Sequence, residues 1–150
     1  MLAPGPGLGK NRGMSRPIFA ALSSVLVLLL VACAGGQRAQ SPDQVFYDYA
    51  GTLRWGGFEL AQDFVDPGHR EQHPLQALEL ERYRQVEVKG YSVVRSQLVA
   101  QDRIEREVEI SLVNRHTQRE RTLRHRETWR WDPAAQRWWL ANGLPGITAD

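Results

Sequence analysis

Few side chains in this sequence could supply acid–base chemistry. The candidates are Asp48, Tyr49, Asp63 and His125. A general base works only when a partner group holds it at hydrogen-bond distance from the proton that it removes, and no spacing here specifies such a pair. We expect Asp48 to face solvent, Tyr49 to lie in the core and His125 to join a polar row on a strand. The sequence therefore assigns no catalytic residue and favours a protein that is not an enzyme.

Two histidines have a spacing that is typical of zinc ligands on a helix. His69 and His73 are four residues apart. Pro67-Gly68 before them and Pro74 after them argue against a helix, because the residue before a proline is disfavoured in the helical conformation. The stretch HREQH also lacks the glutamate of an HExxH site, and His116 has no evident partner. We predict a surface loop at 69–73, no metal and no cofactor.

The single cysteine, Cys33, excludes an intramolecular disulfide and a cysteine-based metal cluster. It follows the apolar stretch 18–32, which is shorter than the roughly 20 residues that a membrane-spanning helix needs. Because basic residues precede this stretch, it has the pattern of a secretory signal. Met14 opens the more usual form of that pattern. We therefore predict a signal peptide at 14–32 and interpret 1–13 as a misassigned start or a disordered leader.

The end of the signal carries a more specific motif. Leu30-Val31-Ala32-Cys33 resembles the bacterial lipobox, with Val31 as a tolerated departure. The resemblance implies a lipoprotein in which Cys33 is linked to diacylglycerol, becomes the first residue after cleavage and is N-acylated, for example with palmitate. Two or three acyl chains anchor a protein stably in a membrane. The alternative is a plain secretory signal cleaved at Ala32 or beyond, which leaves a free thiol.

The segment after Cys33 is small and polar. We interpret residues 33–40 as a flexible tether between the lipid and the fold. Ala34 stands where an aspartate would signal retention in the inner membrane, so the resemblance implies an outer-membrane lipoprotein of the cell envelope that faces the periplasm.

Charge excludes one class of partner. The full chain has 19 basic and 17 acidic residues. Loss of Lys10, Arg12 and Arg16 with the signal peptide would leave the mature chain close to neutral. We therefore expect no nucleic-acid partner. The expected partners are the membrane, through acyl chains on Cys33, and an envelope protein or a small apolar ligand.

Residues 41–150 are long enough for one domain with one core, and helices are predicted first. Ser41-Pro42-Asp43-Gln44 has the pattern of a capping box, in which the serine accepts from the N3 amide and the glutamine reaches back. The apolar residues that follow recur at helical spacing: Phe46, Tyr49, Ala50 and Leu53. A second helix is predicted at 58–65, with an inward set of Leu60, Ala61, Phe64 and Val65. A third is predicted from Pro74, with Leu75 and Leu78 on one face.

From residue 86 onward the pattern changes to strands. Gly90 predicts a bend or bulge in the first strand. The next two strands alternate, with one face formed by Ile104, Arg106, Val108, Ile110 and Leu112, and by Leu123, His125, Glu127, Trp129 and Trp131. A final strand follows at RWWL. Turns are predicted at His116-Thr117-Gln118 and at Asp132-Pro133-Ala134-Ala135.

On the other face of these two strands, one strand carries acidic residues and its neighbour carries basic residues. One row is Glu105, Glu107 and Glu109, and the other is Arg124, Arg126 and Arg130. Antiparallel pairing would set acid against base, which favours a solvated sheet face. The alternative is an arginine ladder that binds anions.

The whole pattern resembles the NTF2-like (SnoaL-like, cystatin-like cone) superfamily. The stretches that carry the resemblance are VFYDYAGTLRWGGFELAQDFVDP and ETWRWDPAAQRWWLANGL. The resemblance implies an α+β fold in which N-terminal helices pack on a curved antiparallel sheet of about four strands and enclose a cone-shaped cavity. Family members use that cavity for catalysis, ligand binding or dimerisation, so a homodimer is among the implied assemblies.

Two functional hypotheses follow. The favoured one is a non-enzymatic module that binds a ligand or partner, with the cone filled by Phe46, Leu53, Trp129 and Trp131. Five tryptophans would allow an aromatic clamp for a ligand, but cross-strand tryptophans more often build a core. The alternative is an NTF2-like lyase, isomerase or hydrolase with Asp48 or Asp63 as its base. Members of that kind place the aspartate inside the cavity with a tyrosine, acid or histidine beside it.

Overall fold

The structure is a computed structural model that describes residues 1, 2, 5 and 39–147. The predicted signal peptide at 14–32, Cys33 and most of the 33–40 tether lie outside the described residues. The elements of the 39–147 segment are helices followed by strands: α1 (Pro42–Trp55), α2 (Gly57–Ala61), a 3-10 turn (Gln62–Phe64), α3 (Pro67–Gln72), α4 (Ala77–Arg84), β1 (Val86–Ala100), β2 (Arg103–Asn114), β3 (Glu120–Asp132) and β4 (Arg137–Leu140). None of the described helices has the length and apolar character needed to cross a membrane.

Helix α1 begins where the sequence predicts, but only half of the expected capping box forms. The Ser41 hydroxyl accepts a hydrogen bond from the Gln44 amide at 3.3 Å, and Pro42 occupies the first turn. The Gln44 side chain does not reach back; its Nε2 donates to Asp48 at 2.9 Å instead. The prediction of a reciprocal box is therefore wrong, because Asp48 one turn further on competes for the glutamine. The inward face of α1 is Val45, Phe46, Tyr49 and Leu53.

The second helix is shorter than predicted, and three of its four predicted inward residues, Ala61, Phe64 and Val65, do pack in the core. It tightens into the 3-10 turn after Ala61. Leu60, predicted to be inward, is 58% exposed. Phe58 takes its place and stacks on the Tyr83 ring at 4.6 Å between centroids.

A helix stands where the loop at 69–73 was predicted. Pro67 occupies the first turn of α3, where a missing amide costs no hydrogen bond. The Asp66 carboxylate caps the helix by accepting from the Gly68 amide at 2.9 Å. The two prolines that argued against a helix instead bracket a short one, since Pro74 lies beyond its last residue.

The next helix also differs from its prediction. It begins at Ala77, after Gln76, whose amide donates to Glu79 at 3.5 Å, so Pro74 does not open it. Leu78 is exposed and Leu75 is only partly buried. The residue that anchors α4 is Tyr83, whose hydroxyl donates to the Pro145 carbonyl at 3.1 Å.

The α+β class and the antiparallel sheet of four strands are confirmed for the described residues, in the order β1-β2-β3-β4. Strand β1 runs to Ala100, and its register with β2 shifts at three places, one of them between Val88 and Gly90. The predicted glycine bulge is therefore confirmed. Both predicted turns are confirmed as well, each closed by the residue that ends the preceding strand: Asn114 accepts from the His116 and Thr117 amides, and Asp132 from the Ala134 and Ala135 amides.

The alternation predicted for β2 and β3 is also correct. The register sets Ile104 opposite Trp129 and Ile110 opposite Leu123. The core between the helices and the sheet contains Phe46, Leu53 and Trp129, with Trp131 partly buried, as expected for a filled interior. Trp129 contacts the rings of Phe46 and Tyr49 edge to face, each at 5.2 Å.

Candidate functional site

The two aspartates proposed as a general base lie outside the core. Asp48 is half-buried on α1 and accepts from Gln44, and Asp63 is 82% exposed with the Arg70 guanidinium 3.9 Å away. Neither carboxylate faces Tyr49 or His125 in a closed cavity. Asp63 lies in solvent and Asp48 lies on the surface of α1, so neither occupies the closed pocket that the enzyme hypothesis requires.

His125 faces inward from β3, opposite Val108. Its Nε2 atom is buried and has no hydrogen-bond partner among the described residues, and burial lowers the pKa of the imidazole. A cavity of about 290 Å³ lies beside it, with Val94 and Val108 in its lining. The charged residues Glu107, Arg124 and Arg126 line the same cavity. Because the buried Nε2 atom has no hydrogen-bond partner among the described residues, His125 lacks the positioned partner that a general base requires.

The histidine pair packs closely. The rings of His69 and His73 stack at 4.6 Å with 23° between their planes. His69 also rests on Gly143, where a Cβ would lie 2.6 Å from Nε2 and where φ is +77°. Within the part of the chain that the structure describes, no group of three or more His, Cys, Asp or Glu side chains is arranged to hold a metal.

The sheet face opposite the core carries the predicted charge rows in part. Arg124 pairs with Glu109 at 2.8 Å, and Arg126 pairs with Glu107 at 3.2 Å. Glu105 lies opposite Thr128 instead of an arginine. Arg130 reaches away from the row to Asp66, to which it donates from both Nε and Nη2. The pairs that do form match the solvated-face interpretation.

The core contains a charged cluster that the sequence interpretation missed. The Glu127 carboxylate is fully buried and accepts three hydrogen bonds, one from each of three neighbours. The Tyr91 hydroxyl donates to Oε1, while the Arg106 guanidinium at 3.2 Å and the Trp129 indole at 3.0 Å donate to Oε2. Arg106 also donates to the Tyr91 hydroxyl at 3.2 Å. We call these four residues the buried polar cluster.

Burial dominates the electrostatics of the cluster. Desolvation raises the pKa of Glu127, and the hydrogen bonds from Tyr91, Trp129 and Arg106 oppose that change without cancelling it. Burial likewise raises the pKa of the Tyr91 phenol. The sequence contained a signal for this cluster: Arg106 and Glu127 occupy inward positions on neighbouring antiparallel strands, and buried opposite charges are expected to pair.

The Arg106 guanidinium also lies 4.2 Å from the centroid of the Phe46 ring. This cation–π contact connects the cluster to α1. Because the Glu127 carboxylate is fully buried and both of its oxygens accept hydrogen bonds within the cluster, it is not presented to a substrate. Its geometry fixes the Tyr91 ring in place on β1.

Tyr91 forms one wall of a surface groove beside α1. The groove has a volume of about 760 Å³, and its lining includes Tyr47, Gly51, Trp55 and Leu60. Tyr47 and Trp55 are 77% and 85% exposed. They stand eight residues apart on α1, and the small residues Ala50 and Gly51 lie between them. We call this surface the α1–β1 groove.

The groove exposes several large apolar side chains to solvent. Large apolar side chains clustered at the surface mark sites of protein, ligand or membrane contact more often than isolated ones do. Two charged residues, Asp48 and Arg54, also line the groove, and the Arg54 guanidinium lies 5.4 Å from the centroid of the Trp55 ring. The prediction that the tryptophans build the core does not explain Trp55, which is exposed, whereas Trp129, Trp138 and Trp139 are buried.

Comparisons with known proteins add little. No protein-family model matches the sequence, and no curated protein matches it. Among solved structures, the solution structure of a SEC-C motif containing protein from Rhodopseudomonas palustris is similar over 73% of this chain and 80% of that chain, with 16% identity and a TM-score of 0.49. A likeness at this level carries no conclusion about function.

Proposed function

We propose that this protein is a lipid-anchored module of the bacterial cell envelope that binds an apolar segment of a partner protein, or a small apolar ligand, in the α1–β1 groove. The observation that carries the proposal is the groove itself, with Tyr47, Trp55 and Leu60 exposed around a wall formed by Tyr91. Aromatic residues exposed in a concave surface are the usual anchors of binding sites.

The interior supports binding rather than catalysis. A catalytic cavity needs space and a group left free to react. The core instead holds Trp129, Phe46 and Tyr49 in edge-to-face contact, and the carboxylate of the buried polar cluster is fully hydrogen-bonded. The proposed enzyme alternative requires Asp48 or Asp63 inside that cavity, and both lie outside the core.

The anchor and the fold family belong to the same proposal. Leu30-Val31-Ala32-Cys33 supports acylation at Cys33 and an outer-membrane location facing the periplasm. Helices packed on one face of a four-stranded antiparallel sheet support an NTF2-like domain. In that family the same architecture is used for binding as well as catalysis, so the fold is compatible with either role.

Replacement of Cys33 by serine tests the anchor. The wild-type chain should incorporate a radiolabelled fatty acid and partition into detergent, and the Cys33→Ser variant should do neither. A variant that stays labelled and membrane-bound would contradict the anchor at this position.

Photo-cross-linking tests the groove. A photoreactive amino acid at position 55 should give a discrete adduct in intact cells, whereas the same residue at position 78 should give little. Leu78 is the matched control because it is an exposed apolar residue on another helix. Equal adducts from both positions, or none from position 55, would count against the groove as the binding site.

A further inference from the structure

The second half of β1 exposes apolar residues that the groove does not use. Val93, Val94, Leu98 and Val99 are all exposed, and so is every other residue from Ser92 to Ala100. Leu98 pairs with Ile104, and the register shifts before Ala100 pairs with Arg103, which makes Val99 the extra residue of an irregularity. We call residues 98–102 the β1–β2 tip.

Strand pairing places this tip at the end of the sheet where the described segment begins. Ala100 pairs with Arg103, which pairs with Arg130 on β3. The turn that follows β3 binds the start of the segment, since the Gln40 amide donates to the Gln136 carbonyl at 3.3 Å. With strands spaced about 5 Å apart, the tip and Gln40 are separated by a distance on the order of 20 Å.

The tether limits how far that end of the sheet can be from the membrane. The chain from Cys33 to Ala39 spans six residue steps, so it reaches at most about 22 Å when fully extended. A domain held at Cys33 therefore keeps the Gln40 end of its sheet close to the lipid surface. The opposite end of the sheet, with the turn at His116, lies at the other end of the long strand β3, and the tether does not keep that end equally close.

We propose that the β1–β2 tip contacts the interfacial layer of the lipid bilayer, with Leu98 and Val99 as its apolar contacts. This inference rests on the proposed anchor at Cys33. Strand β1 is an edge strand, and its unpaired amides and carbonyls would be costly in the hydrocarbon core. The contact is therefore shallow, at the depth where water still reaches the backbone. The exposed Arg103 beside the tip suits the phosphates of that layer.

The contact has a consequence for the α1–β1 groove. Tyr91 lies on the same strand as the tip, seven residues before Leu98. A domain held both by Cys33 and by its tip has a fixed orientation, in contrast to one that swings on the tether alone. The groove would then be presented at a constant height above the membrane.

A fluorescent probe on the full-length lipidated chain tests the inference. Cys33 in thioether linkage does not react with a thiol reagent, so Leu98→Cys supplies a single labelling site. The labelled protein is placed in vesicles of phosphatidylethanolamine and phosphatidylglycerol and measured with two quenchers, aqueous iodide and a spin-labelled lipid. Leu78→Cys is the control, because Leu78 is 63% exposed and Leu98 is 67% exposed.

The expected result is a blue-shifted emission at position 98, strong quenching by the spin-labelled lipid and iodide quenching several-fold weaker than at position 78. Iodide quenching equal to that of position 78 in a lipidated, vesicle-bound chain would overturn the inference and leave the anchor intact. Protection from both quenchers would assign the tip to a protein contact, such as a second copy, and would also overturn it. A chain without acyl groups, detected by mass, would overturn the anchor and the inference together.

Discussion

Two arginine–glutamate pairs join the same two strands and meet opposite surroundings. Arg106–Glu127 and Arg126–Glu107 both link β2 to β3, and in each pair the closest nitrogen and oxygen are 3.2 Å apart. The side chains of the first pair are 6% and 0% exposed, whereas those of the second are 67% and 47% exposed. The two pairs lie on opposite faces of the sheet.

The difference shows how burial decides what an ion pair does. Removing Glu127 from water costs several kcal/mol, which the arginine alone does not offset, so Tyr91 and Trp129 must also donate to it. Arg126 and Glu107 exchange with water, and little depends on their contact. The buried pair fixes one arrangement of the interior, including the Tyr91 side chain that forms a wall of the α1–β1 groove. The exposed pair keeps the other face of the sheet polar and hydrated.

The largest effect should come from Arg106→Met. The change leaves Glu127 buried without its cation and should lower the free energy of unfolding by about 3 to 5 kcal/mol. Urea denaturation followed by tryptophan fluorescence would measure it. A loss below about 1 kcal/mol would mean that the carboxylate reaches water or is protonated at little cost.

A smaller loss is expected for Tyr91→Phe, which removes one donor to Glu127 and keeps the ring. An unsatisfied buried acceptor costs about 1 to 3 kcal/mol. Tyr47→Phe is the control, because the Tyr47 side chain is largely exposed and lies outside the buried polar cluster; this change should leave the urea midpoint unchanged. Equal effects of the two variants would show that the Tyr91 hydroxyl is dispensable.

The pH dependence of stability should separate Glu127 from Asp66. Burial raises the pKa of Glu127, so the folded chain binds this proton more tightly than the unfolded chain. Its contribution is present below the ordinary value of 4.5 and is lost as the pH rises through the raised pKa. Burial also acts to raise the pKa of Asp66, but hydrogen bonds from Arg130 and Gly68 outweigh it and lower that pKa, so this contribution is lost on acidification.

Urea denaturation across the acidic-to-neutral range would measure both slopes. Relative to wild type, Glu127→Gln should lose the decline with rising pH, and Asp66→Asn should lose the decline on acidification. A wild-type slope that is unchanged in Glu127→Gln would contradict the assignment of the raised pKa to this carboxyl.

The smallest effect should come from Arg126→Met on the exposed sheet face. A solvated pair contributes roughly 0 to 1 kcal/mol, and salt screens it further. The midpoint of urea denaturation should therefore move little, and the small change should vanish at high ionic strength. A loss comparable to that of Arg106→Met would show that this face is covered by another surface.

The sequence predicted the sheet better than the helices, for physical reasons. A two-residue repeat assigns every side chain of a strand to a face, so the inward set on β2 and β3 was correct even for Arg106 and Glu127. Short helices depend on local caps instead. Asp66 capping α3 and Gln76 preceding α4 were overlooked, and Phe58 instead of Leu60 fills the inward position of α2.

The candidate site was less accessible to sequence reasoning. The α1–β1 groove exists because β1 places Tyr91 beside the outer face of α1, and that packing has no local sequence pattern. Trp55 was grouped with the four hairpin tryptophans, although its position at the last residue of α1 leaves it in solvent. The Arg106–Glu127 pair of the buried polar cluster could have been predicted by aligning the inward charged residues of β2 with those of β3.

Double-mutant cycles on the two matched pairs test most directly whether burial determines the role of a charged pair in this sheet. One cycle combines Arg106→Met with Glu127→Leu, and the other combines Arg126→Met with Glu107→Gln, with the coupling free energy taken from urea denaturation. The expected coupling is about 2 kcal/mol or more for the buried pair and below about 0.5 kcal/mol for the exposed pair. Equal coupling in the two cycles would contradict the account.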